Sequence, residues 1–136
     1  MYWTGGTNGF PMEFTNYRLW QPSTNSLGFN TSGGDCYGII DSNLVNNWTH
    51  ITAIFYNGNY TNNSKMYVNG INRVLSQING SSRTGIASNQ LTIGGFRSAS
   101  SYSFPGKISN FRIYNKALSQ NEILQNFNAL RNRYGI

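Results

Sequence analysis

The chain has 136 residues, a length that favours a single domain. Aromatic residues make up 15% of it and charged residues only 10%, which excludes a disordered chain and disfavours a helical bundle. No apolar run approaches the ~18 residues of a membrane span, so no membrane insertion is expected. With 15 glycines and many Asn, Ser and Thr residues for turns, the composition predicts one all-β domain over residues 1–136.

The formal net charge is +6, from ten Lys and Arg against four Asp and Glu. The cations are spread along the chain and only Arg131 and Arg133 lie close together, so we expect no nucleic-acid partner. Cys36 is the only cysteine, which excludes an internal disulfide and a zinc site built on several thiolates. The first residues lack the pattern of a secretory signal peptide, whereas the composition favours an extracellular, cell-surface or virion location.

Short apolar runs between polar loops predict the strands of the first half. In the first third they are expected at Gly9–Phe14, 17–20, 26–30 and Cys36–Ile40. Residues 48–56 are β-branched or aromatic almost throughout, with Ile51, Ala53 and Phe55 on one face. Because apolar residues occupy both faces towards the end of this run, it is predicted to be a central strand.

The second half contains a hairpin signal. Asn69-Gly70 separates a run at 64–69 from another at 71–78, and both central residues of a type I′ turn need positive φ. We therefore predict a hairpin there, followed by strands at 91–94 and 106–114.

The C-terminal residues change to a helical period. Ser119 and Glu122 form the pattern of a capping box, with Leu118 and Ile123 placed for a hydrophobic staple. These signals predict a short helix that begins after Ser119 and ends near Gly135. One apolar stripe on the helix is expected to pack against the β core; it consists of Ile123, Leu124, Phe127 and Leu130.

Six short runs occur in an order and spacing that resemble a known group of domains. They are Trp48-Thr49-His50-Ile51-Thr52 and the runs at 65–70, 91–94, 104–108, 111–115 and 117–123. Together they resemble the laminin-G-like domains of the concanavalin A-like lectin/glucanase superfamily. The resemblance implies a jelly-roll sandwich of two curved antiparallel sheets, to which the capping box adds a short C-terminal α-helix.

The resemblance is incomplete at the beginning. Such domains usually open with a strand of the pattern Phe-Thr-Ile-x-x-Trp, and Met1-Tyr2-Trp3 match only its end. We therefore expect an N-terminal strand to be missing. An exposed sheet edge left by that strand would favour self-association with another copy.

The acidic residues bear on catalysis and metal binding. Glucanases of the superfamily use two carboxylates on one strand, and the acids of this chain show no such pattern, so no enzyme is predicted. The resemblance also implies one calcium ion at a rim, for which Asp35 and Asp41 are the candidates. The alternative is that both aspartates cap turns.

The leading hypothesis is a non-catalytic carbohydrate-binding or adhesion module of a larger surface or virion protein. Sugar recognition uses aromatic rings against C–H groups, and planar amides or guanidinium groups for hydroxyls. The candidate ligand-binding residues are Trp20, Tyr37, Tyr60, Arg97 and Tyr102. Each aromatic among them has packing within the sandwich as its alternative role. The alternative function is a purely structural or assembly domain, for example of a phage tail fibre, with no ligand of its own.

Overall fold

The structure is a computed structural model that describes residues 1–15, 17–31, 33–81, 84–87, 90–96 and 102–136. Its strands, in chain order, are β1 (Tyr2–Trp3), β2 (Gly9–Phe14), β3 (Tyr17–Gln21), β4 (Ser26–Thr31), β5 (Cys36–Ile40), β6 (Ile51–Ile54), β7 (Gly58–Asn59), β8 (Lys65–Val68), β9 (Ile71–Arg73), β10 (Ser76–Asn79), β11 (Thr84–Gly85), β12 (Leu91–Ile93) and β13 (Gly106–Lys107). The helices are α1 (Tyr60–Asn63) and α2 (Gln120–Tyr134), with a 3₁₀ turn at Ser42–Leu44. None of the described helices is both long enough and apolar enough to cross a membrane.

The strands form two main antiparallel sheets. The larger sheet has six strands in the order β10-β5-β4-β3-β2-β12, and the smaller has three in the order β6-β8-β9. β1 pairs with β13 and also bridges Trp48, just before β6. The molecule is therefore a mostly β sandwich with one C-terminal helix, which confirms the predicted fold class.

The core lies between the two sheets. Alternation along β3 and β4 turns Tyr17 and Phe29 inward, where both are fully buried. Phe55, which follows β6, packs edge-to-face against them with ring centroids 4.7 Å and 5.1 Å away. Burying a side chain of this size contributes about 1.5–3 kcal/mol, so these rings hold the sheets together. The opposite face of β3 carries Arg18 and Trp20.

Most strand predictions in the first third and at the hairpin are confirmed. β2 and β5 have the predicted bounds, and β3 and β4 are each one residue longer than predicted. Asn69 and Gly70 have φ of 52° and 78°, as a type I′ hairpin between β8 and β9 requires. The run at 71–78 is two strands, because β9 pairs in the smaller sheet and β10 in the larger one.

Two other strand predictions are wrong in an informative way. The run at 48–56 is regular only over β6, which pairs only with β8 among the described strands and is thus a sheet edge rather than a central strand. The run at 106–114 is regular only over β13. Asn110 has a φ of 56°, in the left-handed region, so the extended backbone is interrupted there. Residues 108–117, called the 108–117 segment below, consequently do not join β6.

Helix α2 begins and ends as predicted. The Ser119 hydroxyl accepts a hydrogen bond from the backbone N–H of Glu122, and the Glu122 carboxylate accepts one from the Ser119 N–H at 2.7 Å, so the capping box is complete. Gly135 ends the helix with a φ of 67°. Ile123 packs with Tyr67 of the smaller sheet, as expected of the apolar stripe. Leu124, in contrast, is 41% exposed.

Candidate ligand-binding cleft

The structure groups four of the five predicted ligand-binding residues into two separate pairs. Trp20 and Tyr102 both contact Phe10 on the outer face of the larger sheet, with ring centroids 6.3 Å and 5.6 Å from it. Phe96 completes this outer aromatic cluster at 5.6 Å from Phe10. Arg97 lies outside the described residues.

Tyr37 and Tyr60 belong to a different part of the fold. Tyr60 is fully buried and its hydroxyl donates a hydrogen bond to the carboxylate of Asp35. The half-buried ring of Tyr37 packs against the Tyr60 ring, with the two centroids 6.0 Å apart. Tyr60 has no ring face open to a ligand, which corrects its prediction as a ligand contact: an aromatic composition does not reveal which rings are needed for the core.

The two candidate calcium ligands do not form a joint site. The buried Asp35 accepts hydrogen bonds from the backbone N–H and the hydroxyl of Thr31, at 3.1 Å and 2.7 Å. Asp41 caps the 3₁₀ turn and binds Arg73 at 2.7 Å. The two lie at opposite ends of β5, roughly 20 Å apart by the rise of a strand. In the described part of the chain no three His, Cys, Asp or Glu residues gather at a potential metal site.

A cleft of about 600 Å³ lies between β6 and the 108–117 segment, and α2 also lines it. Its floor is apolar and includes Met12 and Leu19 from the larger sheet, with Ile51 and Ala53 of β6 beside them. Among the described strands β13 pairs only with β1, in a separate two-stranded sheet, and the 108–117 segment that follows it does not pair with β6. The cleft therefore lies along the unpaired edge of β6.

Tyr134, at the end of α2, anchors the beginning of the 108–117 segment. Its hydroxyl lies 2.7 Å from the hydroxyl of Ser109 and accepts a hydrogen bond from the side-chain amide of Asn110 at 2.8 Å. The hydrogen bond with Ser109 lowers the pKa of Tyr134. Its ring packs against Trp48 with centroids 4.8 Å apart, which places two aromatic rings on one wall of the cleft.

Asn126, two turns earlier on α2, holds the middle of the same segment. Its Oδ1 accepts a hydrogen bond from Nη1 of Arg112 at 3.1 Å, and its Nδ2 donates one to the hydroxyl of Tyr114 at 3.2 Å. Arg112 and Tyr114 both line the cleft and are exposed to solvent. One helical residue thus positions both a cation and an aromatic ring at the mouth.

His50, just before β6, lines the cleft in its neutral form. Burial lowers its pKa, and the positive charge of Arg112 acts in the same direction. Its ring packs against Phe127 of α2 with centroids 5.9 Å apart. Its Nδ1 is buried and makes no hydrogen bond to the described residues. His50 therefore contributes a neutral ring to the wall rather than a charge.

The cleft combines aromatic rings with planar polar groups. Aromatic rings of Trp48, Phe111 and Tyr114 provide apolar faces, while Asn110 and Arg112 provide planar polar groups. Sequence reasoning missed these residues as a site. The available signal was the mixture of polar and apolar residues at 106–114, where neither face of the expected strand is apolar throughout.

The comparisons with known proteins agree with the architecture. The family model of the concanavalin A-like lectin/glucanases superfamily matches residues 2–124. No curated protein and no solved structure matches the chain significantly. The family match spans both sheets, the 108–117 segment and the start of α2. Because it covers far more than half of the chain, the protein belongs to the concanavalin A-like lectin/glucanase superfamily.

Proposed function

We propose that this domain is a non-catalytic carbohydrate-binding or adhesion module of a larger surface or virion protein. The observation that carries the proposal is the cleft between β6 and the 108–117 segment, where aromatic rings and planar polar side chains line one cavity. A concave site with an apolar floor and a few placed polar groups is the usual form of a small-ligand site. Membership of a superfamily that includes lectins supports the same conclusion.

The positions of the carboxylates favour binding over hydrolysis. Glycoside hydrolysis generally requires two carboxylates flanking the scissile bond. All four Asp and Glu residues lie in the described part of the chain, and none lines the cleft. Each one already has a partner: Glu13 pairs with Arg18, Asp35 with Thr31, Asp41 with Arg73, and Glu122 with Lys116, which itself lines the cleft.

A screen of the purified domain on a broad glycan and polysaccharide array tests the proposal. The decisive variants are Tyr114→Ala in the cleft and Tyr102→Ala in the outer aromatic cluster, which are matched because the two rings are 44% and 39% exposed. We expect Tyr114→Ala to weaken binding of the best glycan by about tenfold, the order of one aromatic contact. Tyr102→Ala should leave the affinity unchanged.

Circular dichroism first establishes that each variant is folded. If the folded protein binds no glycan on the array, the proposal fails and the structural or assembly role takes its place. If Tyr102→Ala abolishes binding while Tyr114→Ala has no effect, glycan binding stands but the cleft is not its site.

A further inference from the structure

The charged side chains that line the cleft are all basic. Its basic side chains are Arg112, Lys116 and Arg131, whereas none of the acids of the chain lines it. Lys116 is already paired with Glu122 at 2.6 Å. Arg112 and Arg131 have no carboxylate partner among the described residues, so their positive charges are not neutralised within the domain.

Both guanidinium groups have neighbours that restrict their positions. Arg112 donates to Asn126 at 3.1 Å, and Arg131 lies over the ring of Phe127, 5.6 Å from its centroid. A guanidinium group presents several N–H donors in a rigid plane and can bind a carboxylate through two parallel hydrogen bonds. The exposed Arg side chains thus offer donors to a bound anion beside the aromatic wall.

We infer that the cleft takes a glycan that carries carboxylate groups, that is, one containing uronic acid residues. The inference rests on the proposed function and adds the chemical class of the sugar to it. A neutral sugar would form no ion pair with either Arg, and another copy of this chain, with its net charge of +6, would be repelled by the site. The rings of Trp48 and Tyr114 give the sugar backbone a surface that a simple anion does not need.

The test compares carboxylated polymers with their own neutral forms. Polygalacturonate, alginate and hyaluronan are each measured by calorimetry beside the carboxyl-reduced polymer, which keeps the backbone and loses the charge. At least one carboxylated polymer should bind about tenfold or more tightly than its reduced form, and added salt should weaken its binding.

Charge-removing variants locate the effect. Arg112→Gln and Arg131→Gln should each weaken binding of the carboxylated polymer by about five- to tenfold, and should weaken binding of the reduced form clearly less, because only the carboxylated polymer loses an ion pair. The matched control is Lys65→Gln, which removes an exposed charge on β8 that does not line the cleft, and it should change neither affinity.

Other results overturn the inference in distinguishable ways. Equal binding of the carboxylated and reduced forms removes it and leaves the proposed function standing, whereas failure to bind any polymer here or on the array removes both. If poly-L-glutamate or single-stranded DNA competes for the cleft as well as the carboxylated polymer does, the cleft recognises negative charge and not the sugar. If dextran sulfate binds more tightly than every carboxylated polymer, the cleft prefers sulfated glycans to carboxylated ones.

Discussion

The guanidinium of Arg112 donates a 3.1 Å hydrogen bond to Oδ1 of Asn126, across the boundary between an irregular segment and a regular helix. The same amide binds Tyr114. The candidate site therefore depends on α2 for its shape even though its cation and its ring come from the 108–117 segment. A capped helix docked on the smaller sheet provides a fixed support that an unpaired segment lacks.

Replacing Asn126 with Ala should loosen this arrangement. Two side-chain hydrogen bonds are lost, and because they are solvent-exposed we expect the free energy of unfolding to fall by about 1 kcal/mol in urea titrations. Glycan affinity should fall as well, since Arg112 and Tyr114 lose their support. The control is Asn128→Ala, at an exposed position of α2 whose side chain makes no hydrogen bond among the described residues. Equal affinities of the two variants would contradict the positioning role of Asn126.

The buried ion pair on the outer face of the larger sheet should matter far more to stability. Nη2 of Arg18 lies 3.3 Å from Oε1 of Glu13, and both side chains are almost fully buried. Arg18→Met would remove this cation from beside a buried carboxylate, at a cost of about 3–5 kcal/mol in denaturant titrations. Lys116→Met breaks the exposed pair with Glu122 and should lower the free energy of unfolding far less. Similar losses of unfolding free energy in both variants would contradict the larger role given to the buried pair.

The N-terminal cap of α2 gives a prediction for the helix itself. Ser119→Ala removes the acceptor for the N–H of Glu122 and should lower the free energy of unfolding by about 1 kcal/mol. Ser119→Asp keeps a side-chain acceptor and should retain most of the stability. A loss with Asp as large as that with Ala would indicate that the cap is not what stabilises the helix end.

Stability should decrease in mild acid because of His50. Burial lowers its folded-state pKa below 6.5, so the unfolded chain binds its proton more readily. The contribution of neutral His50 to the free energy of unfolding is complete above pH 6.5 and is lost as the pH falls through the lowered pKa. Burial also lowers the pKa of the Met1 amine from 8.0 to about 6, so protonation of this amine likewise lowers stability as the pH falls.

His50→Gln separates the two groups. Chemical unfolding of this variant should show a weaker loss of stability between about pH 7 and 5 than the unchanged protein, and the remaining slope belongs to the amine. An unchanged pH dependence in His50→Gln would show that its protonation is not coupled to folding.

Local patterns made much of the fold predictable. The strand runs at β2 and β5, the Asn69-Gly70 turn and the Ser119 capping box each depend on a few neighbouring residues, and the structure keeps them all. The edge position of β6, in contrast, depends on whether the 108–117 segment, more than fifty residues further along the chain, pairs with it.

The candidate site could not be predicted from the sequence for the same reason. The left-handed conformation at Asn110 accompanies a hydrogen bond to Tyr134, which lies 24 residues further along the chain. Nothing local to either residue indicates that contact. Aromatic content likewise predicted a ring-lined site but did not separate the exposed Tyr114 from the buried Tyr60.

The central claim is that a glycan binds in the cleft, and the three tryptophans allow one measurement to test it. Trp3 lies in the core at 1% exposure, Trp20 belongs to the outer aromatic cluster, and Trp48 lines the cleft. Their indole N–H signals in a two-dimensional ¹H–¹⁵N NMR spectrum can be assigned with Trp20→Phe and Trp48→Phe variants. On titration with the best glycan from the array, the Trp48 signal should shift saturably while those of Trp3 and Trp20 stay in place. A saturable shift of Trp20 with Trp48 unmoved would contradict the account.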